Sequence, residues 1–162
     1  MTSNATQFIS LVRHPFKFRL FLLSKLPAAF FSGVQIVEVN ESRSVVSIPY
    51  KWLTQNPFRS AYFASLSMAA EMSTGVLAMM HIYKKKPGIS MLVTKMEATY
   101  FKKATGKTFF SCEDGKQIQE IIENSVASAE SKTITVTSMG RNTNDELIAT
   151  FLFTWSFKVK AN

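Results

Sequence analysis

The sequence predicts an α+β protein in which an antiparallel sheet curls around one long central helix, with a helical extension in front. Three observations carry this: a long apolar stretch at Ser60–Met80 with helix-favouring composition, period-two alternation in segments on both sides of it, and a basic amphipathic N-terminus.

The central stretch reads SAYFASLSMAAEMSTGVLAMM, rich in Ala, Leu and Met, with Val76 its one β-branched residue besides Thr74. A helix of about 21 residues is roughly 31 Å long. Apolar residues occur all round it, the mark of a helix covered on most sides. Its one charged side chain is Glu71, and Ala64, Ser67, Met68, Thr74, Gly75 and Ala78 surround that acid at helical spacing. So small a surface admits close approach, which makes Glu71 a functional candidate. Two structural alternatives stand beside this. A transmembrane span has the necessary length, although a central Glu is costly in hydrocarbon. A soluble core helix whose Glu is salt-bridged or reaches water satisfies the rule that buried acids are rarely left unpaired.

In chain order, residues 6–26 form one or two basic amphipathic helices broken near His14-Pro15, with Phe8, Leu11 and Val12 as one apolar stripe. Such a segment caps the open side of a core or lies on a membrane interface. Gly33 opens a strand, VQIVEVN, and a turn at Glu41-Ser42 leads to a second, SRSVVSIPY. A polar, Pro-containing connection follows, and Ser60 is the expected N-cap of the central helix. Lys84, Lys85 and Lys86 complement that helix's C-terminal dipole before Pro87-Gly88 stops it. Strands at 90–103 and 107–113, a short helix or bulged crossing in 114–130, and strands at 132–139 and 147–159 complete the order. Residues 1–30 are thus expected as a helical extension and 31–162 as a single domain.

Composition narrows the function. A chain of 162 residues, 46% hydrophobic and with 14 Phe, supports a packed core. Its net charge of +8 favours anionic partners, such as a coenzyme A ester or a membrane surface. No zinc-finger spacing, arginine-rich tract or aromatic RNA-binding signature points to nucleic acid. One cysteine, Cys112, excludes an internal disulfide framework, and no metal-ligand cluster is apparent. Arg13, Lys17, Arg19 and Lys25 interrupt every apolar run near the N-terminus, so no clean signal peptide is expected and cytoplasm is the default.

The order of elements resembles the hotdog fold of the thioesterase superfamily, and most of all its DUF4442 branch. The resemblance covers roughly residues 30–160. In the phenylacetate-type (PaaI-like) thioesterases an Asn lies six residues ahead of His-Gly-Gly, and an acid follows nine residues after that His. Asn56 and Glu71 match those two positions, while Tyr62, Phe63 and Ala64 stand where His-Gly-Gly would be. The resemblance implies hydrolysis of an acyl-CoA or another acyl thioester, with coenzyme A part of the substrate and no other cofactor. Glu71 would activate water or attack the acyl carbon, and burial would raise its pKa toward a useful range. Backbone N–H groups at Phe63 and Ala64 would stabilise the oxyanion. Asn56 or the Tyr62 hydroxyl would orient carbonyl or water, unless each makes only a structural hydrogen bond. Ser67 and Met68 are candidate substrate contacts, and Lys84, Lys85 and Lys86 candidate phosphate contacts. The competing expectation is a non-catalytic protein that binds a fatty acyl group or lipid in a Met-rich pocket. Exposed sheet edges predict a homodimer or a dimer of dimers.

Overall fold

The computed structural model describes residues 3–160. Its strands are β1 (Gln35–Val39), β2 (Ser44–Ile48), β3 (Ile89–Tyr100), β4 (Thr108–Cys112), β5 (Lys132–Asn142) and β6 (Leu147–Val159). They form one sheet in the order β1-β2-β4-β5-β6-β3, and every neighbouring pair is antiparallel. The central helix α4 (Phe63–Ile82) packs across β1, β2, β4, β5 and β6, giving the expected hotdog arrangement.

Period-two patterning explains the sheet. Along β6, Phe151, Phe153, Trp155 and Phe157 are buried while Leu152, Thr154 and Ser156 between them are half-buried. The β1–β2 turn is fixed by Asn40, whose Oδ1 accepts from the backbone N–H groups of Ser42 (3.0 Å) and Arg43 (2.9 Å).

Helix α4 meets the sheet through small side chains. Ala69, Ala70, Ser73, Thr74, Leu77 and Ala78 are fully buried. Ser44 donates to the Ser73 carbonyl, Ser73 Oγ lies 2.8 Å from Ser138 Oγ, and Trp155 Nε1 donates to Thr74 Oγ1 at 2.9 Å. Part of the small-residue surface around Glu71, namely Thr74 and Ala78, therefore receives the sheet. By length and composition α4 suffices to cross a membrane, but 67% of its apolar window is buried within the fold.

Two local expectations need correction. Ser60 is not the N-cap: the helix begins at Phe63 after Tyr62, which makes no side-chain cap bond. The Ser60 hydroxyl instead donates to Asn56 Oδ1 at 3.2 Å, so the strong capping residue is consumed by the preceding turn. A further helix, α3 (Pro27–Ser32), carries the helical extension past its expected boundary at residue 30. It starts on Pro27, whose missing N–H costs nothing in a first turn, and ends at Gly33 with φ 80°. Gly33 thus closes a helix rather than opening a strand.

Helices α1 (Ser3–Arg13) and α2 (Pro15–Lys25) break at His14-Pro15 as expected. Buried Ala5, Phe8, Ile9 and Val12 set α1 onto α4 and β1. Helix α5 (Gly115–Ser128) buries Ile118, Ile122 and Ser125, packing on α4, β5 and β6. Its first residue lies hard against the β1–β2 turn: a Cβ on Gly115 would stand 2.2 Å from the Glu41 carbonyl oxygen. Helix propensity favours Gly→Ala by about 1 kcal/mol, but a backbone contact this short reverses the sign. Gly115→Ala is expected to cost about 1–3 kcal/mol in denaturant unfolding, and a stabilised variant would refute the contact.

Candidate functional site

Glu71 lies in the middle of α4, beside the face that Thr74 and Ala78 turn to the sheet, and most of its surface is buried. Among the described residues its carboxylate has no hydrogen-bond or ion-pair partner, so the salt-bridged alternative has no counterpart in the fold. Burial pushes its pKa upward from the ordinary 4.5. Gly75, one turn on, makes room for it: a Cβ there would lie 3.1 Å from Glu71 Oε1 and 3.5 Å from the Trp155 ring.

Two spaces meet at this carboxylate. An inner cavity of about 200 Å³ runs beneath α1 and α2 and is walled by apolar side chains, apart from Glu71 and the phenol of Tyr83. An outer cleft of about 230 Å³ lies between α4 and the Lys25–Ala29 segment, and Met68 lines it. Leu26, Glu71 and Met72 border both and form the neck between them.

The start of α4 belongs to a different space. Asn56, Ser60, Phe63, Tyr100 and Lys103 surround a pocket of about 320 Å³. The Asn56 side chain is engaged in its own turn, accepting from the Phe58 N–H (2.9 Å) and donating to the Ala61 carbonyl (3.3 Å). Tyr62 stacks edge-on against Phe63, ring centroids 4.8 Å apart, and both rings are exposed. As the first residues of α4, Phe63 and Ala64 present N–H groups with no partner inside the helix. Ser67 donates to the Phe63 carbonyl at 2.9 Å.

One chain therefore does not bring all the candidate residues together. Phe63 precedes Glu71 by eight helical residues, about 12 Å along the axis. The lysine triplet follows the far end of α4, about 16 Å from Glu71 on the same measure. Lys84 ties down α1 there: its Nζ donates to Gln7 Oε1 (3.1 Å) and its carbonyl accepts from Asn4 Nδ2 (3.3 Å). His81 stays away from Glu71 and near Glu41, and burial lowers its pKa. Cys112 is buried, which pushes its thiol up to about 12 and keeps it protonated.

A family model described as a domain of unknown function, DUF4442, matches residues 17–156. The chain belongs to the DUF4442 family. The search of curated proteins found no match. Similar solved structures extend the comparison of the DUF4442 fold. A Chlorobaculum tepidum protein of unknown function superposes with a TM-score of 0.75 at 16% identity, covering 89% of this chain and 93% of that one. PA5026 of Pseudomonas aeruginosa, described as a probable thioesterase, gives 0.74 at 16%, covering 90% and 97%. The E. coli PaaI protein from the phenylacetic acid degradation operon gives 0.64 at 12%, covering 94% and 98%. Identities this low speak for the shared hotdog fold.

The sequence did not disclose the cavity walls. Phe8, Leu11 and Val12 are legible as an apolar stripe, but nothing local says that they face Glu71 across a cavity rather than fill the core. No sequence signal marks Lys103, which stands beside the start of α4 and donates to the Phe58 carbonyl at 3.4 Å.

Proposed function

We propose that this protein hydrolyses an acyl thioester, with an acyl-CoA or similar carrier ester as substrate and Glu71 as the general base. The observation that carries this reading is the largely buried carboxylate, unpartnered among the described residues, at the neck between an apolar cavity and an open cleft. A structural acid is ordinarily paired. An unpaired one with a raised pKa beside an empty apolar space is suited to take a proton from water.

The reaction balances with this residue and water. The Glu71 carboxylate accepts a proton as water oxygen adds to the thioester carbonyl. The oxyanion is held by backbone N–H groups at a helix start. The C–S bond then breaks, and the leaving thiolate takes the proton back from Glu71, giving a carboxylic acid and a thiol. Because Glu71 and the N–H groups of Phe63 and Ala64 lie about 12 Å apart within one helix, the donors belong to a second subunit in this scheme. The proposed dimer forms at the outer edge of β3, which is not paired in this chain and exposes Leu92, Met96 and Tyr100. Replacing Leu92 and Met96 together by Lys should yield a folded monomer in light scattering that has also lost turnover. A double variant that stays dimeric would move the interface elsewhere.

The test of the reaction is thiol release from purified protein supplied with acyl-CoAs of graded length. Turnover is expected at neutral pH, and none with any ester would overturn the hydrolase reading. One observation favours the second reading, a non-catalytic acyl-binding protein: the exposed Phe63 ring stands at the start of α4, where the resembling thioesterases have glycine. Tight acyl binding without turnover would establish that reading instead.

A further inference from the structure

Helix α1 is held as a fixed wall rather than a loose flap. Asn4 and Gln7 bond to Lys84 at one end, and Arg13 Nη2 donates to the Val39 carbonyl at 2.7 Å at the other. The cavity it closes over Glu71 is therefore largely preformed. From Glu71 the space runs along α4 to Met79, two turns or about 12 Å. Phe8 and Tyr83, ring centroids 5.4 Å apart, line the end remote from the acid. Between neck and end the wall carries no charged or amide side chain, and flexible Met72, Met79 and Met91 line it.

We infer that this cavity is a chain-length gauge for an unsubstituted, medium-length acyl group, with the carbonyl at the Leu26–Glu71–Met72 neck and the carrier leaving past Lys25. The inference rests on the acyl-thioester reading of the same site. The size follows from volume: a cavity of about 150 Å³ takes a benzene molecule, so the space here takes about eight carbons. The chemistry follows from the wall, which away from the neck carries no cation or amide to pair with a carboxylate at the far end of the chain, the Tyr83 hydroxyl being the one polar group there. Aliphatic acyl groups fit; dicarboxylic half-esters, whose second carboxylate would be buried without a cation, do not. The Phe8–Tyr83 ring pair sets the limit.

Binding of S-alkyl-coenzyme A thioethers, which lack a hydrolysable bond, tests this separately from catalysis. Calorimetric Kd values are expected to fall about fourfold per methylene up to about eight carbons, then level off. An eight-carbon thioether bearing a terminal carboxylate should bind at least about tenfold more weakly than its unsubstituted counterpart. Leu11→Trp, which fills the cavity from α1, should move the levelling point to shorter chains. Tyr83→Ala, which opens its end, should move it to longer ones and alone suffices if the tryptophan variant does not fold. Affinity independent of chain length, or a levelling point unmoved by a folded variant, overturns the inference. Length-dependent binding without thiol release from any acyl-CoA keeps the gauge and removes the hydrolase. Hydrolysis indifferent to chain length does the reverse.

Discussion

Replacing Glu71 by Gln is expected to lower thioester hydrolysis by about 10²-fold or more, the scale of a positioned general base, while leaving the fold and acyl binding intact. Gln keeps the size of the side chain and cannot accept the proton. The effect on stability separates this from a structural role. Removing one member of a buried ion pair costs about 3–5 kcal/mol because the other is stranded. Glu71 has no such partner among the described residues, so the melting temperature of Glu71→Gln should be unchanged or higher. The pH dependence has a definite sign. The folded-state pKa is raised above the ordinary 4.5, so between those two values the folded protein holds the proton more tightly than the unfolded chain. This group's contribution to stability therefore falls as pH climbs through that window, and the Gln variant should lose that slope. Activity runs the other way: the base works ionised, so turnover should rise with pH, with an inflection above the ordinary 4.5. A wild-type inflection at or below 4.5, or a variant that melts far lower with its turnover intact, would remove Glu71 from the chemistry.

The parts of this fold legible in the sequence are those where one periodicity dominates. Strand β6 is legible at 147–159, where four aromatic residues alternate along the chain. Helix α4 is legible because Ala, Leu and Met continue over five turns, and its start is not, because Ser60 satisfies a local capping pattern that Asn56 uses for its own turn. Helix α3, at six residues, is too short to show a period. Glu71 stood out as one acid in an apolar helix, and a single chemical anomaly survives without knowledge of the fold. The cavity was not legible, because Phe8, Ile36, Met79 and Met91 meet only after α1, β1, α4 and β3 are assembled. The lysine triplet shows the converse: a charge run suggestive of phosphate includes Lys84, which is occupied in fastening α1.

Phe63→Pro is the second substitution expected to have a large effect, and it probes the other half of the proposed centre. Proline removes the backbone N–H, and the site suits it: Phe63 is the first residue of α4, and Tyr62 before it has φ −66° and ψ 133°, the extended conformation that a following proline favours. The helix should therefore form unchanged. Loss of one oxyanion donor costs about 10²- to 10³-fold in kcat. Phe63→Ala, which removes the ring and keeps the N–H, serves as the control and should retain turnover, since the ring itself makes no contact with Glu71's cavity. The decisive step is to mix the two inactive proteins. If Glu71 of one subunit works with the N–H groups of the other, dimers pairing Glu71→Gln with Phe63→Pro contain one site in which both halves are intact. Half the dimers in an equal re-assembled mixture are mixed, and half the sites in those are whole, so about one quarter of wild-type turnover should return. If each site is built from one subunit, every site in the mixture carries a defect and no activity returns. Recovery would fix both the subunit arrangement and the roles of the two residues in one measurement, because neither variant alone can supply it.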